Sequence, residues 1–165
     1  MTTSGRQRGW WLEDATAGAD IQHPGGRTID ADEHPRLAWL TDNASDVHGD
    51  AHRAALGRWG QPLVLGALTA AVVIGLAEPA VGAARDAGRA RASGWFNISL
   101  IGIVSAGDTI TATSRVVLVA RDEDGRGGRV RRVIEGRTQR GVVVVRVHDE
   151  RWAPSRPLQP TLSRS

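Results

Sequence analysis

The chain contains no cysteine and no lysine. Absence of cysteine removes disulfides, thiolate metal sites and cysteine nucleophiles together, and leaves the redox compartment open. Absence of lysine removes Schiff-base chemistry and makes all 21 basic residues arginine. A strong charge of either sign is also missing, since the formal net charge is +3. The basic residues are densest from Arg126 to Arg140, where they alternate with glycine, valine, Glu135 and Thr138. That is the pattern of a solvated, arginine-rich β-hairpin, not the continuous basic stripe that nucleic acid requires, so no nucleic-acid partner is expected. The N-terminus lacks the apolar stretch of a secretory signal, because Trp10-Trp11-Leu12 is followed at once by Glu13 and Asp14. The longest uncharged run, 59–77, reaches the lower limit for a membrane span. It contains Gln61, Pro62, Thr69 and three glycines, and it reads as a buried core helix. The expectation is therefore a cytoplasmic chain with no membrane partner.

What is present fits one domain. A length of 165 residues, 41% hydrophobic and 24% charged, suffices to bury roughly two thirds of the unfolded surface without covalent staples. Residues 1–20 have little periodicity and read as an irregular N-terminal segment, with Trp10 and Trp11 docking on the rest. Gly26-Arg27-Thr28-Ile29 reads as extended. Asp30-Ala31-Asp32-Glu33 places acidic residues at a helix start, and Leu37, Trp39 and Leu40 are expected to supply that helix's apolar face. A polar loop, Thr41 to Asp50, leads to a short helix from Ala51 to Leu56, ended by Gly57 and Gly60. The apolar helix is expected to begin at Pro62, in the first turn where a missing N–H is harmless, and to run through Leu63 to Leu76, with Pro79 and Gly82 at its exit. After an Ala/Gly/Arg connector to about Ser93 come strands over Trp95–Val104, Thr109–Arg121, Arg129–Arg137 and Gly141–Asp149. They are separated by strong turns at Asp122–Gly128 and Arg137–Gly141. Residues 151–165 read as a loose tail.

One long apolar helix followed by antiparallel strands, with no βαβ alternation, predicts an α+β fold, a single domain over 21–150 in which the sheet wraps around a central apolar helix. That is the hot-dog architecture.

Chemistry-bearing side chains concentrate in Leu40-Thr41-Asp42-Asn43-Ala44-Ser45-Asp46-Val47-His48-Gly49-Asp50. Taken alone, His48 reads as an ordinary surface or satisfied histidine, and His23, His34, His52 and His148 have weaker claims.

Several separate motifs resemble those of the MaoC-like hot-dog hydratases and dehydratases, which act on acyl thioesters and include the R-specific enoyl-CoA hydratases. They are Gly26-Arg27-Thr28-Ile29, the loop above, Gly57-Arg58-Trp59-Gly60-Gln61-Pro62-Leu63-Val64-Leu65-Gly66, Asn97-Ile98-Ser99-Leu100, and Ala106-Gly107-Asp108-Thr109-Ile110. Together they cover about residues 20–148. The resemblance implies acid–base addition or elimination of water on an enoyl or 3-hydroxyacyl thioester of CoA or an acyl-carrier protein, with no metal or organic cofactor. It implies an assembly that is a homodimer, or a heterodimer with another hot-dog subunit, and a place in fatty acid metabolism. In the family an acidic or amide side chain stands five residues before a histidine; here those positions are Asn43 and His48. A histidine suits reversible hydration because imidazole takes up and returns a proton near neutral pH. The family's backbone donor to the thioester carbonyl falls on Gly66, and a preorganised N–H of that kind is worth a few kcal/mol at the transition state. Asp46, Val64, Leu65 and Ala67 fall on substrate-binding positions, and arginines at the domain edge are expected to meet the CoA phosphates.

The sequence also departs from the family pattern. Asn43 cannot serve as a base, so its partner carboxylate is either absent or supplied by Asp42 or Asp46. Asp46 stands where relatives carry proline, Ile74 replaces a hydroxyl residue, and Gly49 replaces a bulky apolar one. Gly66 also has a purely structural reading, as a point where helix and sheet pack closely. Fold can outlast a site, so a catalytically impaired subunit that partners an active paralogue stays open beside the hydratase. A hot-dog thioesterase is the weaker third reading, because 63–77 carries no carboxylate.

Overall fold

A computed structural model of the chain describes residues 11–78 and 91–157. The expected docking of Trp10, the helix exit at Pro79 and Gly82, most of the connector and the end of the tail lie outside the described residues.

Two short strands, β1 (Asp20–Gln22) and β2 (Arg27–Thr28), precede three helices, α1 (Glu33–Leu40), α2 (Asp46–Gly49) and α3 (Ala51–Leu56). The apolar helix α4 (Gly66–Ala77) follows, and then the long strands β3 (Arg91–Leu100), β4 (Thr109–Arg121), β5 (Gly127–Thr138) and β6 (Val143–Pro154). The antiparallel sheet has the order β1-β4-β5-β6-β3, with β2 also pairing β4. Among the described residues, β3 has one long neighbour and an open edge.

Strict alternation builds the face that receives α4. On β4, Ile110, Ala112, Ser114 and Val116 are buried; on β5, Val130, Arg132, Ile134, Gly136 and Thr138; on β6, Val145, Val147, Asp149, Arg151 and Ala153. Side chains two apart share a face of a strand, so this single register fixes the core. Val72, Val73 and Ala77 of α4 pack into it with Ile29, Val64 and Val104. Val73 is completely buried and sits directly on Gly136, where an added Cβ would overlap its Cγ2. Helix and sheet therefore approach closely at Gly136.

The apolar helix starts four residues later than the expected Pro62. Leu63 N–H donates to Val47 O at 2.9 Å and Val64 N–H to Val104 O at 2.8 Å. With these amides bound outside, residues 62–65 stay out of the helix, and it opens at Gly66. The helix is also not enclosed all round, because Ala67, Ala71 and Gly75 are exposed among the described residues. On α1 the expected apolar face is wrong for two residues: Trp39 is 82% and Leu40 71% exposed, while His34 and Ala38 are buried. Two described segments near the ends are more regular than expected. Leu12, in a 3-10 turn at Leu12–Asp14, packs on Val116, Val130 and Ala153. Strand β6 continues to Pro154, so 151–154 belongs to the sheet and not to a tail.

Candidate active site at the start of the apolar helix

The loop carrying His48 is fastened to the strand-like approach of α4 by one residue. Leu63 donates its N–H to Val47 O and accepts, through its carbonyl, a 2.8 Å hydrogen bond from His48 Nδ1. A carbonyl only accepts, so Nδ1 carries the hydrogen, and in the neutral ring Nε2 is left with a free lone pair. Among the described residues no other hydrogen bond holds the ring. Three residues beyond Leu63 the helix begins, a chain distance of at most about 11 Å.

Gly66 is the first helical residue and is half-buried. Thr69 N–H makes the first intrahelical bond, to Leu65 O at 3.1 Å, and no side chain caps the end. The amides of Gly66, Ala67 and Leu68 precede that bond and have no intrahelical acceptor. They form a donor set at the positive end of the helix. The glycine also has a packing reason, since a Cβ at 66 would overlap Cδ1 of Leu100. Val64 and Leu65 are buried beside this turn and Ala67 is exposed on it.

Neither Asn43 nor Asp46 offers a free acid–base group. Asn43 is exposed, and its Oδ1 accepts the Ser45 N–H at 3.2 Å, which fixes the loop. Asp46 is paired to Arg53 at 2.8 Å, and Asp50 caps α3 by accepting the Arg53 N–H at 2.9 Å. Of the two carboxylates that could replace the missing partner, Asp46 is therefore committed elsewhere.

A cavity of about 330 Å³ lies against His48, bounded by His34, Pro35, Gln61, Pro62 and Ala106 among others. Asn43, Asp46, Val64, Leu65, Gly66 and Ala67 are not among its lining residues. His34 is. It is 4% exposed, and its Nδ1 is buried without a hydrogen-bond partner. Burial first, and the neighbouring His48 second, push its pKa down, so the ring is held neutral. Its signal was in the sequence, because His34, Leu37, Ala38 and Thr41 form an i, i+3, i+4, i+7 stripe. Among the described residues no cluster of three or more histidines and acidic side chains could hold a metal ion.

The remaining histidines sit elsewhere. His23 is buried on a 2.5 Å hydrogen bond with Ser114, and burial, aided by the charges of Arg132 and Arg151, lowers its pKa to about 4. His148 stacks at a tilt on Phe96, 5.8 Å between centroids.

Solved structures resemble this arrangement over nearly its whole length. A MaoC-like dehydratase from Rhodospirillum rubrum superimposes with a TM-score of 0.76 at 22% identity, covering 91% of this chain and 100% of that one. The chain has the hot-dog fold. An R-hydratase from Pseudomonas aeruginosa shares that fold with a TM-score of 0.66 at 19% identity, covering 93% of this chain and 96% of that one. A chain of the 3R-hydroxyacyl-ACP dehydratase complex from Mycobacterium tuberculosis shares it at 0.61 and 13% identity, over 82% and 96%. No family model and no curated protein matches the sequence. In this hot-dog chain, as the sequence suggested, the sheet packs over α4. Among the described residues no helix is long and apolar enough to cross a membrane.

Proposed function

We propose that the chain is a MaoC-like hydratase/dehydratase that adds water to an enoyl thioester, or removes it from a 3-hydroxyacyl thioester, carried on CoA or an acyl-carrier protein. The observation that carries this reading is the junction at Leu63, which orients the His48 ring through its carbonyl and enters the uncapped start of α4 three residues later. The thioester oxygen is bound by the Gly66 N–H, with Val64, Leu65 and Ala67 beside it. There the developing enolate is stabilised by a fixed donor and by the helix end, together worth about 3 kcal/mol or more. His48 Nε2 takes a proton from water as the oxygen bonds to the β-carbon and returns one to the α-carbon. No metal or organic cofactor takes part. Solved structures titled as hydratases and dehydratases share the fold, which supports the reading, and a cytoplasmic setting fits CoA-borne substrates.

A second reading is favoured by one observation: where the family has its acidic or amide partner, Asn43 spends its Oδ1 on the loop and Asp46 is held by Arg53. On that reading the chain is an impaired subunit that pairs with an active hot-dog paralogue. Either assembly uses β3, whose open edge exposes Trp95, Phe96, Ile98 and Leu100, with Ile101 and Ile103 just beyond it, each 42–59% exposed. An unpaired, apolar edge of this kind invites a partner strand.

Steady-state hydration of crotonyl-CoA separates the two readings. Turnover by the purified chain alone, lost in His48→Ala, is the expected result. Turnover that needs a hot-dog partner and survives His48→Ala favours the impaired subunit.

A further inference from the structure

Water addition needs more than a base, because the water must also be held with its oxygen lone pair toward the β-carbon. Asn43 does not serve that purpose here, since it is exposed and its Oδ1 already accepts the Ser45 N–H. A second imidazole is on the walls of the cavity beside His48. His34 Nδ1 is buried without a partner. Among the described residues its Nε2 has no hydrogen-bond partner and is not among the buried unpaired atoms, which leaves it the ring nitrogen open to the cavity that His34 lines. A buried N–H without an acceptor is rarer in folded proteins than a bare acceptor. The neutral ring therefore keeps Nδ1 bare and carries its hydrogen on Nε2, facing inward. His48 is oriented the opposite way, with Nδ1–H on Leu63 O and a bare Nε2. One cavity thus holds one imidazole donor and one imidazole acceptor.

We propose that His34 is the water-orienting residue of this site, donating its Nε2–H to the oxygen of the water that His48 deprotonates. The inference rests on the hydratase reading above and supplies the role that Asn43 leaves open. In the hydration direction one water O–H breaks, its proton passes to His48 Nε2, and the oxygen bonds to the β-carbon. The electron pair of the double bond moves toward the thioester, and His48 then gives its proton to the α-carbon, so that one water is added and both rings end as they began. A neutral His34 suits this cycle, because a second positive charge in the cavity would oppose protonation of His48. The charged and titratable groups around it are His48, which lowers its pKa, and the adjacent Glu33, paired to Arg27 at 2.6 Å.

The test uses the purified full chain with crotonyl-CoA and a longer trans-2-enoyl-CoA. His34→Leu, which keeps the site filled and apolar, is expected to lower kcat about 100-fold with KM within about threefold, in the range of one lost hydrogen-bonding group at a reacting centre. His34→Gln, which retains an N–H donor, is expected to recover at least tenfold of that loss. Nitrogen chemical shifts of the unmodified protein are expected to show His34 neutral with hydrogen on Nε2 at pH 7. Wild-type turnover that survives in His34→Leu, or hydrogen found on Nδ1 of His34, overturns this inference and leaves the hydratase reading standing. A wild-type chain inert on every thioester, alone and with partners, overturns both.

Discussion

The two ends of α4 handle polar groups in opposite ways. At its C-terminal end Glu78 bonds Arg151 through both oxygens, Arg151 bonds Asp149 at 2.8 Å, and Asp149 receives Arg132 in a two-pronged pair. Arg132, Asp149 and Arg151 are all at least 96% buried. Burial alone would raise the Asp149 pKa, but the bonds from Arg132 and Arg151 outweigh it and hold it below the usual carboxylate range. At the N-terminal end the opening amides lack intrahelical acceptors, no side chain caps the helix, and the cavity nearby contains an imidazole nitrogen without a partner. Burying unpaired polar groups costs stability. Among the described residues the pairs are complete at one end and several polar groups are open at the other, which is the contrast on which the proposed site rests.

Breaking the satisfied end should produce the largest loss of stability. Asp149→Ala removes the buried carboxylate that Arg132 and Arg151 share and is expected to cost about 3–5 kcal/mol in chemical denaturation. At the open end the cost should fall on turnover instead. His48→Ala is expected to lower kcat about 10²–10⁴-fold, while the midpoint of thermal unfolding moves little, because the ring is half-buried and makes one hydrogen bond. The satisfied end should also show in the pH dependence. His23 titrates near 6.5 when unfolded and near 4 when folded. Between those values the unfolded chain binds more protons, so stability present at neutral pH is lost as pH falls from 6.5 to 4, by roughly 3 kcal/mol. His23→Gln should flatten that part of the curve, measured as unfolding free energy against pH. Smallest of all, Arg53→Ala removes an exposed pair and a loop tie, with an expected loss under about 1 kcal/mol.

Much of the fold was legible because two periodicities were clean. The alternation along β4 gave its bounds, Thr109–Arg121, directly, and the Gly-rich turn expected at Asp122–Gly128 separated it from β5, which starts inside that turn at Gly127. The short helix Ala51–Leu56 was equally clear, with Asp50 capping it. Harder to read were features decided by distant contacts. The start of α4 depends on Leu63 and Val64 bonding Val47 and Val104, which local propensity does not encode. Strand β6 ran on to Pro154 because β5 pairs it that far, Gly127 with Pro154, although proline suggested a tail. Arg132 and Arg151 looked like surface charges until the register turned them inward.

The candidate site was partly legible. The resemblance singled out His48 and Gly66; His48 is bonded to Leu63, three residues before Gly66, while Gly66 does not line the cavity beside His48. His34 ranks below His48 in the sequence because Trp39 and Leu40, the larger apolar residues of α1, point to the wrong face of that helix. Side-chain size is a poor guide where a helix packs through small residues such as Ala38.

The central claim is that the His48 ring and the first amides of α4 serve one ligand. Its most direct measurement is a titration of the isotope-labelled protein with a non-reactive enoyl-pantetheine analogue, following the Gly66 amide and the His48 ring nitrogens together. Saturation of both along one binding curve is the predicted result. A ligand that moves the imidazole and leaves the Gly66 amide untouched, or the reverse, contradicts it.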